Sequence, residues 1–275
     1  MAEGVQWRLE SVEGCGTVSL ARGEVQVWMC RCADAGAAAL EGLERTLSAP
    51  ERAQAERFVR PADRMEHVVS HGVLRALAAA YLGVPAREVR FVRGGQGKPG
   101  FAGEQNPCGV AFNLSHSRGL ALLAFTVGEV VGVDVERHRG VRDRDALVRR
   151  FFHRREARLL LRLHPEAREG AFFRCWTRKE AVLKAAGLSV ALHSGSVALL
   201  SRRTLRELWP RQPAVRLAHG LLPGGLRLHW TDLPVGEGCS GAVAYSGPRA
   251  AVSLRLFGFG DRGECRDSGA VDTFG

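Results

Sequence analysis

Asp134 and Glu136 stand two positions apart in the run "GVDVERHRG", among valines that read as a buried strand. Residues two apart on a strand share a face, so the two carboxylates project together while Val133 and Val135 point into the core. Two acids held that close repel, and one takes up a proton unless a cation offsets the charge. A divalent ion that prefers hard oxygen ligands, magnesium above all, removes the conflict. An acidic strand face turned to solvent is the simpler explanation of this pair taken alone.

A second group lies in "CWTRKEAVLKAAG", where Trp176, Glu180 and Lys184 are spaced four apart along one side of a helix. Glu180 preceding Lys184 has the orientation of a plain intrahelical ion pair, and Trp176 reads as core packing. A third, "FNLSHS", ends an apolar strand on Ser115 and His116. Histidine there suits phosphate binding or proton transfer near neutral pH, and also suits a purely structural role. The fourth, "RGGQGKP", places Lys98 in a glycine-rich loop five residues after Arg93. Glycine N–H groups and a lysine charge fit phosphate oxygens, but the loop lacks the Gly-Lys-Ser/Thr ending and following helix of a nucleotide P-loop.

The elements that must position these residues follow from periodicity. Residues 1–22 read as weakly ordered, and "EVQVWMCR" alternates like a strand entering a core. A long helical stretch runs from Leu47 to Gly83, interrupted at Pro61. "EVRFV", "GVAFNLSHS" and "LALLAFTV" read as strands, and Gly128-Glu129 predicts a tight hairpin turn into "VVGVDVE". The stretch "HPEAREGAFFRCWTRKEAVLKAAGLS" has proline and acids at its start and glycine at its end, the polarity of a helix. Strand-like runs return in "SVALL", "GLRLHWTDL", "CSGAVAYSG" and "AAVSLRLFG". The expectation is an α+β protein of two similar lobes, each a small antiparallel sheet on one long helix in a pseudo-twofold relation. The boundaries are 1–128 and 129–259, with 260–275 a disordered tail.

Composition bounds the partners. Of 275 residues, 45% are hydrophobic and 25% charged, ordinary for a globular chain, while the net charge of +10 favours an acidic partner. The N-terminus carries acids and no apolar segment, and no run approaches the roughly 18 apolar residues of a spanning helix. The 7 cysteines show no zinc spacing or disulfide-framework density, which places them as reduced thiols of a cytoplasmic protein.

Singly these motifs are weak. Their order, "GKP", "FNLSHS", "GVDVE", then "WTRKEAVLKAAG", resembles the surfactin-synthetase-type 4′-phosphopantetheinyl transferases over residues 45 to 190, and "ERFVRPADRMEHVVSHGVLR" is similar to that family's first helix region. The resemblance implies that Asp134, Glu136 and Glu180 bind magnesium, and that Lys184 contacts phosphate and the reacting region. It implies that Lys98, Ser115 and His116 contact coenzyme A, with Arg93 a further basic contact. Basic residues that some members carry near Glu51 and Gln54 are not clearly matched; Arg52, Arg57 and Arg64 lie close by, and the 3′-phosphate contact stays open among them.

The implied reaction moves the phosphopantetheine arm of coenzyme A to a carrier-protein serine and releases adenosine 3′,5′-bisphosphate. Glu180, directly or through a bound water, is the candidate base, with Lys184 and His116 beside it. Acidic acyl, peptidyl or polyketide carrier proteins are the implied partners of a cytoplasmic monomer that binds neither nucleic acid nor membrane. The site is expected between the lobes, with Lys98 and His116 facing Glu180 and Lys184. A nucleic-acid module would use the charge but has no recognition motif here. A magnesium-dependent hydrolase of coenzyme A is the nearer rival.

Overall fold

The computed structural model describes residues 6–10, 18–94, 97–189, 193–195, 197–199, 226–247 and 251–257. In chain order these form β1 (Gln6–Glu10), β2 (Glu24–Arg31), α1 (Ala37–Thr46), α2 (Ala49–Glu56), α3 (Pro61–Leu82), β3 (Phe91–Arg93) and β4 (Pro99–Phe101). There follow β5 (Val110–Ser117), β6 (Leu120–Val127), β7 (Val131–Arg137), α4 (Arg144–Phe151), α5 (Arg154–Leu160) and α6 (Pro165–Ala185). The last strands are β8 (His229–Leu233), β9 (Cys239–Tyr245) and β10 (Ala251–Phe257). No described helix is long and apolar enough to cross a membrane.

Local chemistry sets the helix ends. Ser48 and Glu51 form a reciprocal capping box at the start of α2, the serine hydroxyl accepting the Glu51 N–H while the glutamate accepts the Ser48 N–H at 2.7 Å. Pro61 and Pro165 open the two long helices, where a missing N–H costs nothing. Gly83, at φ +68°, closes α3 in the left-handed conformation, its N–H donating to Ala79 O.

Four layers result. One sheet runs β1-β10-β2-β6-β5 and a second runs β7-β9-β8. Val68, Val69, Val73 and Leu77 of α3 pack with Trp28, Leu123 and Phe125 on the outer face of the first sheet. Its inner face, with Val27, Met29 and Leu122, meets Val131, Val133, Val135 and Val243 of the second. The far side of the second sheet carries α6, through Ala181, Val182 and Ala185 against Trp230, Ala242 and Ala244. Each such valine or leucine, fully removed from water, contributes about 1.5–3 kcal/mol. Lying between layers, β6 is buried along its whole length, hence the unbroken apolar run "LALLAFTV".

The α+β reading holds, with four corrections. The first sheet is mixed, because β10 runs parallel to both β1 and β2, whereas the second is fully antiparallel. Part of the N-terminal stretch read as weakly ordered forms strand β1. The expected hairpin across Gly128-Glu129 does not form: the edges of β6 are taken by β2 and β5, so β7 crosses to the second sheet. Gly128 still turns the chain, at φ +72°. Residues 197–199 of the expected strand "SVALL" are not in a strand, and the expected tail at 260–275 lies outside the described residues.

Gly132 lets α6 lie directly on β7. A Cβ at this position would stand 2.2 Å from the Ala181 carbonyl oxygen and 2.3 Å from the Ala185 nitrogen, both backbone atoms that cannot swing aside. Gly132→Ala is therefore expected to push the helix off the strand and cost about 1–3 kcal/mol, the usual range for overpacking. Urea unfolding midpoints measure this, and a variant as stable as the parent would contradict the contact.

Candidate active site

The alternation of β7 turns Asp134 and Glu136 away from the valine face and toward α6, as Gly132 does on the same face. From α6, Glu180 and Lys184, one helical turn apart, reach the same space. The Lys184 Nζ donates to Asp134 Oδ1 at 2.6 Å and to Ser115 Oγ at 3.2 Å, and lies 3.5 Å from Glu180 Oε2. The ammonium thus bridges one acid from the strand and one from the helix.

Asp134 is buried, and Glu136, Glu180 and Lys184 are half-buried. Burial raises the Asp134 carboxyl to about 7; Lys184 opposes that shift and the Glu180 charge adds to it. Burial also raises Glu136, with the Asp134 charge reinforcing it, and raises Glu180, with Glu136 reinforcing it against Lys184. Burial works against the Lys184 charge, yet Asp134 and Glu180 outweigh it and hold the ammonium firmly protonated. Asp134 Oδ2 is buried without a hydrogen-bond partner. Three acids and one lysine leave an excess of negative charge. Among the described residues no three His, Cys, Asp or Glu side chains form a ready-made ion cage, and the Lys184 nitrogen stands between Asp134 and Glu180.

The strand β5 contributes from its edge. Ser115 faces β7 and donates to Asp134 Oδ1 at 2.8 Å. His116, the next residue, turns to the opposite face, its Nδ1 3.5 Å from Glu66 Oε1 on α3. Lys98 does not project freely: its Nζ donates to the Val131 carbonyl of β7 at 2.8 Å, and burial lowers its pKa to about 8. Arg93 is exposed on β3, and Arg64 pairs with Glu44 of α1. Trp176, half-buried, packs against Phe151, Phe152 and Phe172, and its side chain also hydrogen-bonds the Glu180 carboxyl. The structure thus gathers Asp134, Glu136, Glu180, Lys184 and Ser115, brings Lys98 to the start of the same strand, and sets His116, Arg93 and Arg64 apart from them. Ser117 escaped the sequence reading, although it continues the alternation of Asn113 and Ser115; its hydroxyl donates to Glu136 Oε2 at 3.1 Å.

The family model of the 4′-phosphopantetheinyl transferase superfamily matches residues 130–222, and that of the 4′-phosphopantetheinyl transferase N-terminal region matches residues 36–127. The 4′-phosphopantetheinyl transferase HetI of Nostoc sp. is 39% identical over 174 residues, 63% of this chain and 73% of that protein. The chain belongs to the 4′-phosphopantetheinyl transferase superfamily. The 4′-phosphopantetheinyl transferase psf-1 of Bacillus pumilus is 31% identical over 156 residues, 55% of this chain and 63% of that protein. AcpT of Escherichia coli K12, a 4′-phosphopantetheinyl transferase, is 40% identical over 98 residues, 35% of this chain and 48% of that protein. The N-terminal match of this transferase contains Lys98, Ser115 and His116; the C-terminal match contains both acids of β7 with Glu180 and Lys184.

Proposed function

We propose that this transferase moves the 4′-phosphopantetheine arm of coenzyme A to a serine hydroxyl of an apo carrier protein, with magnesium, releasing adenosine 3′,5′-bisphosphate. The observation that carries this reading is the meeting of Asp134 and Glu180 at Lys184, with Glu136 two residues on along the same strand face, in a chain of this superfamily. The donor set fits magnesium. It offers hard carboxylate oxygens, one of them the unpartnered Asp134 Oδ2, in a cluster whose repulsion a divalent ion relieves. When bound, magnesium would shield the pyrophosphate charge that repels a nucleophile.

The chain's own residues would do the rest. Asp134, Glu136 and Glu180 would hold the ion, and Lys184 would donate to a phosphate oxygen as charge builds on the leaving group. Glu180, raised by burial, would accept the serine proton. Lys98, Ser115, His116, Arg93 and Arg64 would contact coenzyme A, Lys98 and His116 exchanging their present partners for phosphate oxygens. The two lobes would span 1–128 and 129–259, each centred on one long helix, α3 and α6, with β10 of the second joining the sheet of the first. We read the enzyme as a cytoplasmic monomer; free thiols at Cys30, Cys32 and Cys175 agree with a reducing compartment.

The carrier partner is read as acidic from the net charge of +10 and from an arginine-rich surface on α4 and α5. Arg149 and Arg150 end α4, and Arg154, Arg155 and Arg158 follow on α5, all exposed. Reversing Arg154, Arg155 and Arg158 to glutamate is expected to raise the carrier KM about tenfold at low salt, because opposed charge steers encounter. The difference should shrink in high salt, where exposed charges are screened, and coenzyme A affinity should hold. Steady-state kinetics at two ionic strengths check this. The reaction itself is tested by incubating the enzyme with coenzyme A, magnesium and apo carrier proteins. Each carrier is then read for a phosphopantetheine mass gain. Cleavage of coenzyme A with no gain on any carrier would favour the hydrolase.

A further inference from the structure

The strand that carries the two acids has an unusual edge. On one side β7 pairs with β9 through backbone hydrogen bonds. On the other it faces β5, and among the described residues no backbone ladder joins the two. The N–H groups of that edge are taken instead by alternate side chains of β5. Val133 N donates to Asn113 Oδ1 at 2.8 Å, Val135 N to Ser115 Oγ at 3.4 Å, and Arg137 N to Ser117 Oγ at 3.2 Å.

Each serine links a backbone N–H to a carboxylate, and Ser115 also accepts from Lys184 Nζ at 3.2 Å. Ser115 Oγ accepts from Val135 N and donates to Asp134 Oδ1 at 2.8 Å. Ser117 Oγ accepts from Arg137 N and donates to Glu136 Oε2 at 3.1 Å. A hydroxyl has one proton, so an oxygen already occupied by an N–H must send that proton to the carboxylate. The hydroxyl is oriented by the backbone of the residue after the acid, and the acid is oriented by the hydroxyl. One oxygen of each carboxylate is thereby fixed, and Asp134 Oδ2 is left without a hydrogen-bond partner.

We infer that Ser117 is a positioning residue for Glu136, as Ser115 is for Asp134, and that the Asn113, Ser115 and Ser117 pins hold β7 in the register that presents both acids to a metal ion. This rests on the reading of Asp134 and Glu136 as metal-holding acids. Ser117 is half-buried, so Ser117→Ala should fold. Outer-shell partners of metal-holding carboxylates typically account for about 10–100-fold in affinity, and that loss is expected for Mn²⁺ binding to S117A, read by titration calorimetry on the protein with metal alone. Ser117→Thr keeps a hydroxyl at the same Cβ and should restore parental affinity. Thermal unfolding without metal runs beside both variants. Weak Mn²⁺ binding by S117A with a melting temperature near the parent's, and rescue by S117T, would support positioning. Parental affinity in S117A, or no recovery in S117T, would overturn the inference while leaving the metal reading intact. A parent chain that binds no Mn²⁺ would overturn both.

Discussion

Glu180→Gln is expected to lower phosphopantetheine transfer about a hundredfold or more, the usual scale for a lost acid–base group, while coenzyme A still binds. Glutamine keeps the length and shape of the side chain but accepts no proton and is a poorer ligand for a hard cation. Glu180 approaches the acids of β7 from α6, with Lys184 3.5 Å away. Burial raises its carboxyl, and the Glu136 charge adds to that despite Lys184. A base of raised pKa works in its ionised form, so parental turnover should climb as pH rises through that pKa, and the glutamine variant should lose this limb. Were Glu180 only the partner of Lys184 in a surface pair, the loss would be about 0.5 kcal/mol, a little over twofold. Calorimetry with coenzyme A beside a single-turnover carrier assay separates the two cases. Near-normal transfer by the variant would pass the proton to Asp134 or Glu136.

How far such a site is legible in sequence depends on what a period can encode. The faces of β7 and α6 were readable because two-residue and four-residue spacings place side chains without knowledge of neighbours. Asp134 with Glu136, and Glu180 with Lys184, are therefore found where alternation and helical repeat put them. Pairing partners are a different matter. The apolar run of β6 marks a buried strand but not which strands flank it, and the local turn at Gly128 suggested a hairpin that β2 and β5 pre-empt. Strand β1 is not legible locally because it pairs with β10, Gln6 opposite Ser253, a contact no local window contains. Alternation alone separates two of the candidates: neighbours on a strand face opposite ways, so Ser115 and His116 cannot both turn to β7, and His116 goes to Glu66. Asn113 and Ser117 stayed unseen because small polar residues on an edge strand look solvent-facing until a second sheet covers them.

Lys179→Met is expected to cost about 3–5 kcal/mol of stability, the largest effect of any single change considered for this fold. Lys179 precedes Glu180 on α6 and points the other way, into the packing against α5. Its Nζ donates to Glu156 Oε2 at 2.6 Å and to the Val197 carbonyl, and the Phe152 ring lies 5.5 Å away. Both ionic side chains are buried, at 1% and 0% exposure. Glu156 also accepts the His153 N–H at 3.1 Å and the Leu199 N–H at 2.6 Å, tying α5 to the segment after α6. Methionine fills much of the lysine volume but takes the Lys179 ammonium away from a fully buried carboxylate, and the loss of that compensation is the source of the penalty. Adding Glu156→Gln removes the charge and keeps an acceptor for Leu199, so the double variant should recover a large part of the loss. Urea unfolding of both singles and the double completes the cycle. Function should follow stability only in part, because the same pair sets the rotation of α6. With Lys179 anchored toward α5, the roughly 100° step to the next residue of a helix turns Glu180 toward β7. In the double variant, stability should return further than transfer does. Recovery of both to the same degree would show that packing alone orients α6 and that the ion pair adds nothing to the aim of Glu180.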